Sequence, residues 1–397
     1  MNGRERLLAA LSGEQPDRIP FAINLWQWFY ANKGLGKLPT ELSHAQHPLD
    51  VLRYLEADIF DRWDPFFCTQ EVFPAELYVE EYVANIRDPE QARQVAAGMM
   101  TSYNYYPPGL DTRLRRWNTP YGTLTQTWEY SPDALTDFEN EYLWKDFETE
   151  YDAVRCIVEA RDFRFDGERW AEWVARIGDD GLPMLKINET PLKALHWLAG
   201  PANATLWIME HPDEMLALAT LHAEKTLRLL ESVVDRDDVL VFMLLDNMDS
   251  MFYAPYLFDK YCRDFLAQAA DLIHSRGKYL AVHACGRSKA LLSRVGQVRI
   301  DMLEGISQPP LGDVRLGEVR AQVGYERFTV NGGMSLHQQE IEDDAEAKIH
   351  AFTRELFASM ADGRHFIYGS SCNTSPLTPW ENILYLRDAA HAYGRLR

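Results

Sequence analysis

The sequence predicts an α/β fold, a (β/α)8 TIM barrel with an N-terminal β-hairpin insertion. Three observations carry that reading. From about residue 182 onward, short apolar runs at 184–187, 240–245, 279–282, 302–306, 328–330 and 366–368 alternate with helical stretches. Strand, helix, strand at that spacing makes βαβ units and a parallel sheet. Two earlier runs, 19–23 and 59–63, bring the strand count to eight. Finally, no GxGxxG follows a first strand and no GxxxxGK[ST] occurs, so an open doubly wound sheet lacks its nucleotide-binding signatures. The 397 residues are read as a single domain, 1–397, because barrels of this length occur as one unit.

The elements follow in order. Leu7, Leu8 and Leu11 share one face of a helix over 4–11, which Gly13 ends before Pro16-Asp17-Arg18 turns the chain. Ile19-Pro20-Phe21-Ala22-Ile23 is the first expected strand, and the aromatic cluster Trp26, Trp28, Phe29, Tyr30 follows it. A helix over 50–55 precedes the second strand, Ile59-Phe60-Asp61-Arg62-Trp63, after which come Phe66 and Phe67. Between 115 and 130 the text alternates around Pro120-Tyr121-Gly122, which is a hairpin pattern rich in Thr, Leu, Trp and Tyr. Long apolar stripes then mark helices over 212–230, 258–275 and 341–360.

Composition narrows the function classes. With 46% hydrophobic and 25% charged residues, the balance is that of a globular protein. The formal charge of -20 disfavours nucleic acid and anionic membranes as partners. Five dispersed cysteines in a long chain fit free thiols better than a disulfide framework. The first residues have no apolar signal region, and no apolar run approaches the ~20 residues of a membrane span. A cytoplasmic protein is expected.

The chemistry concentrates at strand ends. His283 and Cys285 close the run 279–282, and residues i and i+2 of an extended backbone point the same way. Cys372 ends a similar run, HFIYGSSC. One nitrogen and two sulfurs are three of the four ligands of a tetrahedral zinc, with the open position of a catalytic site. In a barrel, catalytic groups sit at the C-terminal ends of strands. That rim would also carry Asn188 and Glu189, Asp246 and Asn247, Glu304, and Asn331 with Gly332 and Gly333. The plainer reading makes Glu189 and Asp246 helix caps or arginine partners, a buried Cys an apolar filler, and Asn331 part of a turn. Glu304 has the weaker claim, as an outward-facing solvated carboxylate. Trp26, Trp28 and Tyr30 follow the first strand. They form either core or the wall of a pocket for a flat, apolar ligand.

These features together resemble the uroporphyrinogen decarboxylase-like superfamily, in its cobalamin-dependent methyltransferase branch. The opening RERLLAAL followed by PDRIP, the TPYGTL hairpin, the PPLGD segment, and HACG with a late Cys372 before PWEN carry the likeness. The resemblance implies a (β/α)8 barrel with His283, Cys285 and Cys372 as zinc ligands. It also implies exchange of a methyl group with the cobalt of a corrinoid (cobalamin) on a separate corrinoid-binding protein. The true decarboxylases have an arginine-rich N-terminal loop, whereas residues 21–35 here contain no arginine and only Lys33. The expected substrate is therefore a small methyl ether such as a methoxylated aromatic, held by Trp26, Trp28, Tyr30, Asn188 and Asn331. Glu189 or Asp246 would serve as catalytic group, fourth ligand or partner of His283. Alternatives are methyl transfer from methylcobalamin to a thiol, a metal-independent decarboxylase or lyase of a small non-porphyrin acid, and a binding protein whose thiols are incidental.

Overall fold

The computed structural model of the chain describes residues 1–62, 68–74, 77, 79–83, 112–131, 133, 136–360 and 362–396. Trp63, Phe66 and Phe67 lie outside the described residues. Seven strands form one curled parallel sheet: β1 (Ile59–Asp61), β2 (Gly181–Asn188), β3 (Val241–Leu244), β4 (Tyr279–His283), β5 (Met302–Ile306), β6 (Thr329–Met334) and β7 (Phe366–Ser370). They are hydrogen-bonded in that order, every pair parallel.

The first expected strand is instead a short bridge. Phe21 pairs in parallel with Tyr368 of β7, and the Ala22 N–H donates to the Tyr368 carbonyl at 2.7 Å. On the other side, the Asp58 N–H donates to the Phe21 carbonyl at 2.7 Å, next to β1. Pro20 has no N–H, and the Phe21 N–H goes to the Asp58 side chain at 2.9 Å. A longer ladder therefore does not form.

The strands are buried on both faces, as expected of a parallel sheet. Leu182, Met184, Val241, Met243, Ala281, Met302 and Ile367 pack together with Leu7, Ala10 and Leu11 of the N-terminal helix Gly3–Ser12. Their neighbours on the opposite face, including Leu185, Phe242, Leu280, Leu303 and Phe366, join the larger core under the outer helices. The period-two alternation then carries Lys186, His283, Glu304 and Gly369 to the inner side, one step beyond that apolar layer. Polar groups thus begin where the apolar plug ends.

The predicted hairpin is the centre of a larger antiparallel sheet, Val79–Val83, Thr112–Thr119, Gly122–Ser131 and Thr136–Glu141. Thr119 pairs with Gly122, and φ of +136° at Gly122 marks the tight turn at Pro120-Tyr121. In sequence this sheet separates β1 from β2. The expected helix 258–275 opens with a π-helical turn, Phe258–Cys262, before Arg263–His274. The stretch 341–360 contains the helix Ala345–Ser359. Among the described residues, no helix is long and apolar enough to cross a membrane.

Candidate metal centre

His283 is the last residue of β4, Cys285 lies two residues on, and Cys372 lies two residues beyond β7. Their ligand atoms all fall within 4.8 Å of one another. His283 Nε2 is 3.7 Å from Cys372 Sγ. The other ring nitrogen, Nδ1, forms a short hydrogen bond with Glu304 Oε2. A carboxylate only accepts, so Nδ1 donates to it, and this turns Nε2 toward Cys372. A metal-binding histidine is commonly held this way by a carboxylate behind it.

Glu304 reaches His283 because the two residues stand opposite each other in the β4–β5 ladder. The register with β6 shifts between Leu303 and Ile306, and Gly305 has φ of +86°. A Cβ on Gly305 would stand 2.7 Å from the Ser371 carbonyl and 3.0 Å from His283 Cε1. Only glycine lets strands carrying two ligands come this close. Gly305→Ala should cost about 1–3 kcal/mol in backbone strain and lower zinc retention. Thermal unfolding and metal analysis of the dialysed variant read the two effects.

The electrostatics are those of a site built for charge. Burial and Arg62 oppose protonation of His283, but Glu304 and Cys372 outweigh them and raise the imidazole above its ordinary value. The Cys285 thiol is pushed up, first by its hydrogen bond to Cys372 and then by burial. Cys372 is held well below its usual range, chiefly by that hydrogen bond, against burial and with help from His283. The shift at Cys372 favours the thiolate, the form that ligates metal. One imidazole nitrogen, two sulfurs and a carboxylate that fixes the ring form a possible metal-binding site compatible with zinc.

Glu304 is the correction to the sequence reading: it is buried, 6% exposed, not solvated. Asp246, expected at the site, is a fastener in the described structure. Its Oδ1 accepts from the Asn247 N–H at 2.7 Å and from the Tyr253 hydroxyl, and its Oδ2 accepts from the Thr190 hydroxyl. Thr190 caps the helix Pro191–Glu210, so Asp246 ties the end of β3 to that helix. Asp246→Ala should destabilise the fold by ~2–4 kcal/mol through its unpaired buried donors, with metal content unchanged. Denaturant unfolding beside metal analysis checks this, and loss of zinc from a stably folded variant would return Asp246 to the site.

Glu189 lies 4.0 Å from Lys186 Nζ, and burial raises its carboxyl above the ordinary value. Asn188 hydrogen-bonds Thr226 Oγ1 at 3.2 Å. No hydrogen bond found among the described residues joins Glu189, Asp246 or Asn188 to the three metal candidates. The aromatic cluster forms the helix Trp26–Gly34. Trp28 donates to the Thr378 carbonyl at 2.9 Å and stacks on Trp380, which makes it core. Trp26 donates to Asp61 at 3.0 Å, and Tyr30 packs on Trp26. Trp26 and Asn331 do line a small cavity, together with Asn24, Arg62, Glu304 and Ser370. Ile23, Leu52, Phe60 and Met184 line it too, so the wall is mixed, polar and apolar in about equal parts.

Sequence reasoning missed Arg62 and Asn373. Arg62 forms an ion pair with Glu304, and its Nη2 donates to Asn373 Oδ1 at 3.1 Å. A cue existed, since Arg62 stands two residues after Phe60 and so shares its inward face.

Residues 174–393 match the uroporphyrinogen decarboxylase (URO-D) family. The chain belongs to that family. A solved structure of a methyltransferase from Methanosarcina mazei aligns with a TM-score of 0.56 and 14% sequence identity over 99% of each chain. At that identity the likeness is one of fold. No curated protein matches the chain.

Proposed function

We propose that this protein is a zinc-dependent methyltransferase that moves a methyl group between a small substrate and the cobalt of a corrinoid on a separate protein. The observation that carries the reading is the convergence of His283 Nε2, Cys285 Sγ and Cys372 Sγ, with Glu304 behind the ring. The structural likeness to a methyltransferase supports the same class. Zinc held there would supply Lewis acidity toward a substrate heteroatom, tempered by two thiolates. Glu304 holds the His283 ring in one orientation, with Nε2 aimed toward Cys372. Trp26 and Asn331 line a small cavity that Glu304 also borders.

In the ether direction, the methyl carbon leaves the oxygen, which keeps the bonding pair. In the same in-line displacement, the carbon would gain a bond whose pair comes from cobalt(I). Trp26 favours that reading. A thiol acceptor, with the methyl moving the other way, is the second reading. It is favoured by the soft donor set and by Trp28 being spent in core packing. Decarboxylation of a small acid has less support, because Arg62 is engaged by Glu304 and Lys186 by Glu189. The bridge at Phe21 supports an eight-stranded closure and a single barrel unit, with the antiparallel sheet as its insertion. The five cysteines form no disulfide among the described residues, which suits a reducing cytoplasm.

The test is spectroscopic. The protein is mixed with a corrinoid protein in the cobalt(I) state and a series of methoxyarenes, and separately with methylcobalamin and thiols. A change in the cobalt absorption in either mixture, lost in Cys285→Ala, is expected. No change in either mixture would overturn methyl transfer.

A further inference from the structure

His283 and Cys372 come from strands β4 and β7, which are not neighbours in the sheet. Between them lies a buried guanidinium from a third strand end. Arg62 follows β1, and its side chain is 4% exposed. Its Nη1 meets Glu304 Oε2, the same oxygen that receives His283 Nδ1, and lies 2.6 Å from that nitrogen. Its Nη2 donates at 3.1 Å to Asn373, the residue after Cys372. Asn373 Oδ1 also accepts from Asn24 at 2.8 Å, which links it to the segment leaving the Phe21 bridge. One fork therefore touches the orienting group of one ligand and the chain neighbour of another. An arginine fork fixes two acceptors in one geometry, which a lysine's point charge does not.

We propose that Arg62 is a positioning residue that locks the two halves of the metal centre together, through Glu304 toward His283 and through Asn373 toward Cys372. This rests on the zinc reading above. The pair also balances charge: Arg62 offsets Glu304, so the buried carboxylate can hold the imidazole without adding net negative charge beside two thiolates.

The experiment is a zinc affinity titration, by competition with a chromophoric chelator, on purified full-length wild type, Arg62→Lys, Arg62→Gln and Asn373→Ala. The cobalt(II)-substituted forms give a parallel reading of ligand geometry through their absorption. Wild type binding zinc is the control for the zinc reading; if it binds none, that reading has failed and Arg62 is not at issue. With zinc bound, Arg62→Gln should weaken affinity by about 10–100-fold. Arg62→Lys should recover only part of this, and both should alter the cobalt spectrum. Asn373→Ala cuts only the Cys372 branch, should fold normally and should lose a smaller factor, about threefold to tenfold. It keeps the proposal testable if the arginine variants fail to fold. Affinities within twofold of wild type and an unchanged cobalt spectrum in Asn373→Ala and in any folded Arg62 variant would overturn the positioning role, whatever their melting temperatures.

Discussion

Cys285→Ala and Cys372→Ala are each expected to leave the purified protein essentially free of zinc. The two sulfurs are two of the three protein ligands that the geometry offers. Changes to the groups behind a ligand typically cost about 10–100-fold in metal affinity, so removing a ligand should cost well over ~100-fold. The fold should survive, because Cys285 and Cys372 project from strand ends and belong to neither apolar cluster. Metal analysis after dialysis reads the first expectation and circular dichroism the second. Stoichiometric zinc persisting in both variants would place the metal elsewhere.

Glu304→Ala carries the second large effect, and it acts on two levels. The side chains of Arg62 and Glu304 are 4% and 8% exposed, so the ion pair is buried. Removing the carboxylate leaves the guanidinium in the interior without that counter-charge, a change that costs ~3–5 kcal/mol. The same substitution frees His283 Nδ1, so the ring is no longer restricted to one tautomer or one orientation. Zinc affinity should fall by about 10–100-fold in whatever fraction stays folded. Glu304→Gln keeps the shape without the charge and should fall between. Denaturant unfolding together with chelator competition separates stability from affinity. A Glu304→Ala variant with wild-type stability and affinity would remove Glu304 from the account.

The metal candidates were legible because their signal is local. His283 and Cys285 sit two apart at the end of an apolar run, and the backbone alone sends them the same way. Cys372 needed only a second run of the same kind. The partners of His283 were not legible, because each is a long-range choice. Glu304 is 21 residues away from His283 and Arg62 is 221. Glu304 turns inward by the same alternation as His283, but its place opposite His283 depends on which strands are neighbours and in what register, which residue types alone do not announce. Glu189 and Asp246 looked equally good as carboxylates at strand ends, yet Asp246 is spent on Thr190, Tyr253 and Asn247. The aromatic cluster was visible as composition, but its helical spacing sends Trp28 onto Trp380 and Trp26 toward Asp61. The first strand shrank to a bridge because Pro20 and the side chain of Asp58 remove the donors that a ladder needs.

The central claim is a zinc held by two sulfurs and one imidazole at the ends of β4 and β7. X-ray absorption at the zinc edge of the purified protein tests it most directly. The account predicts one zinc per chain with two sulfur neighbours at ~2.3 Å and nitrogen or oxygen neighbours at ~2.0–2.1 Å. A shell of nitrogen and oxygen alone, or zinc far below one per chain in metal-supplemented protein, would contradict it.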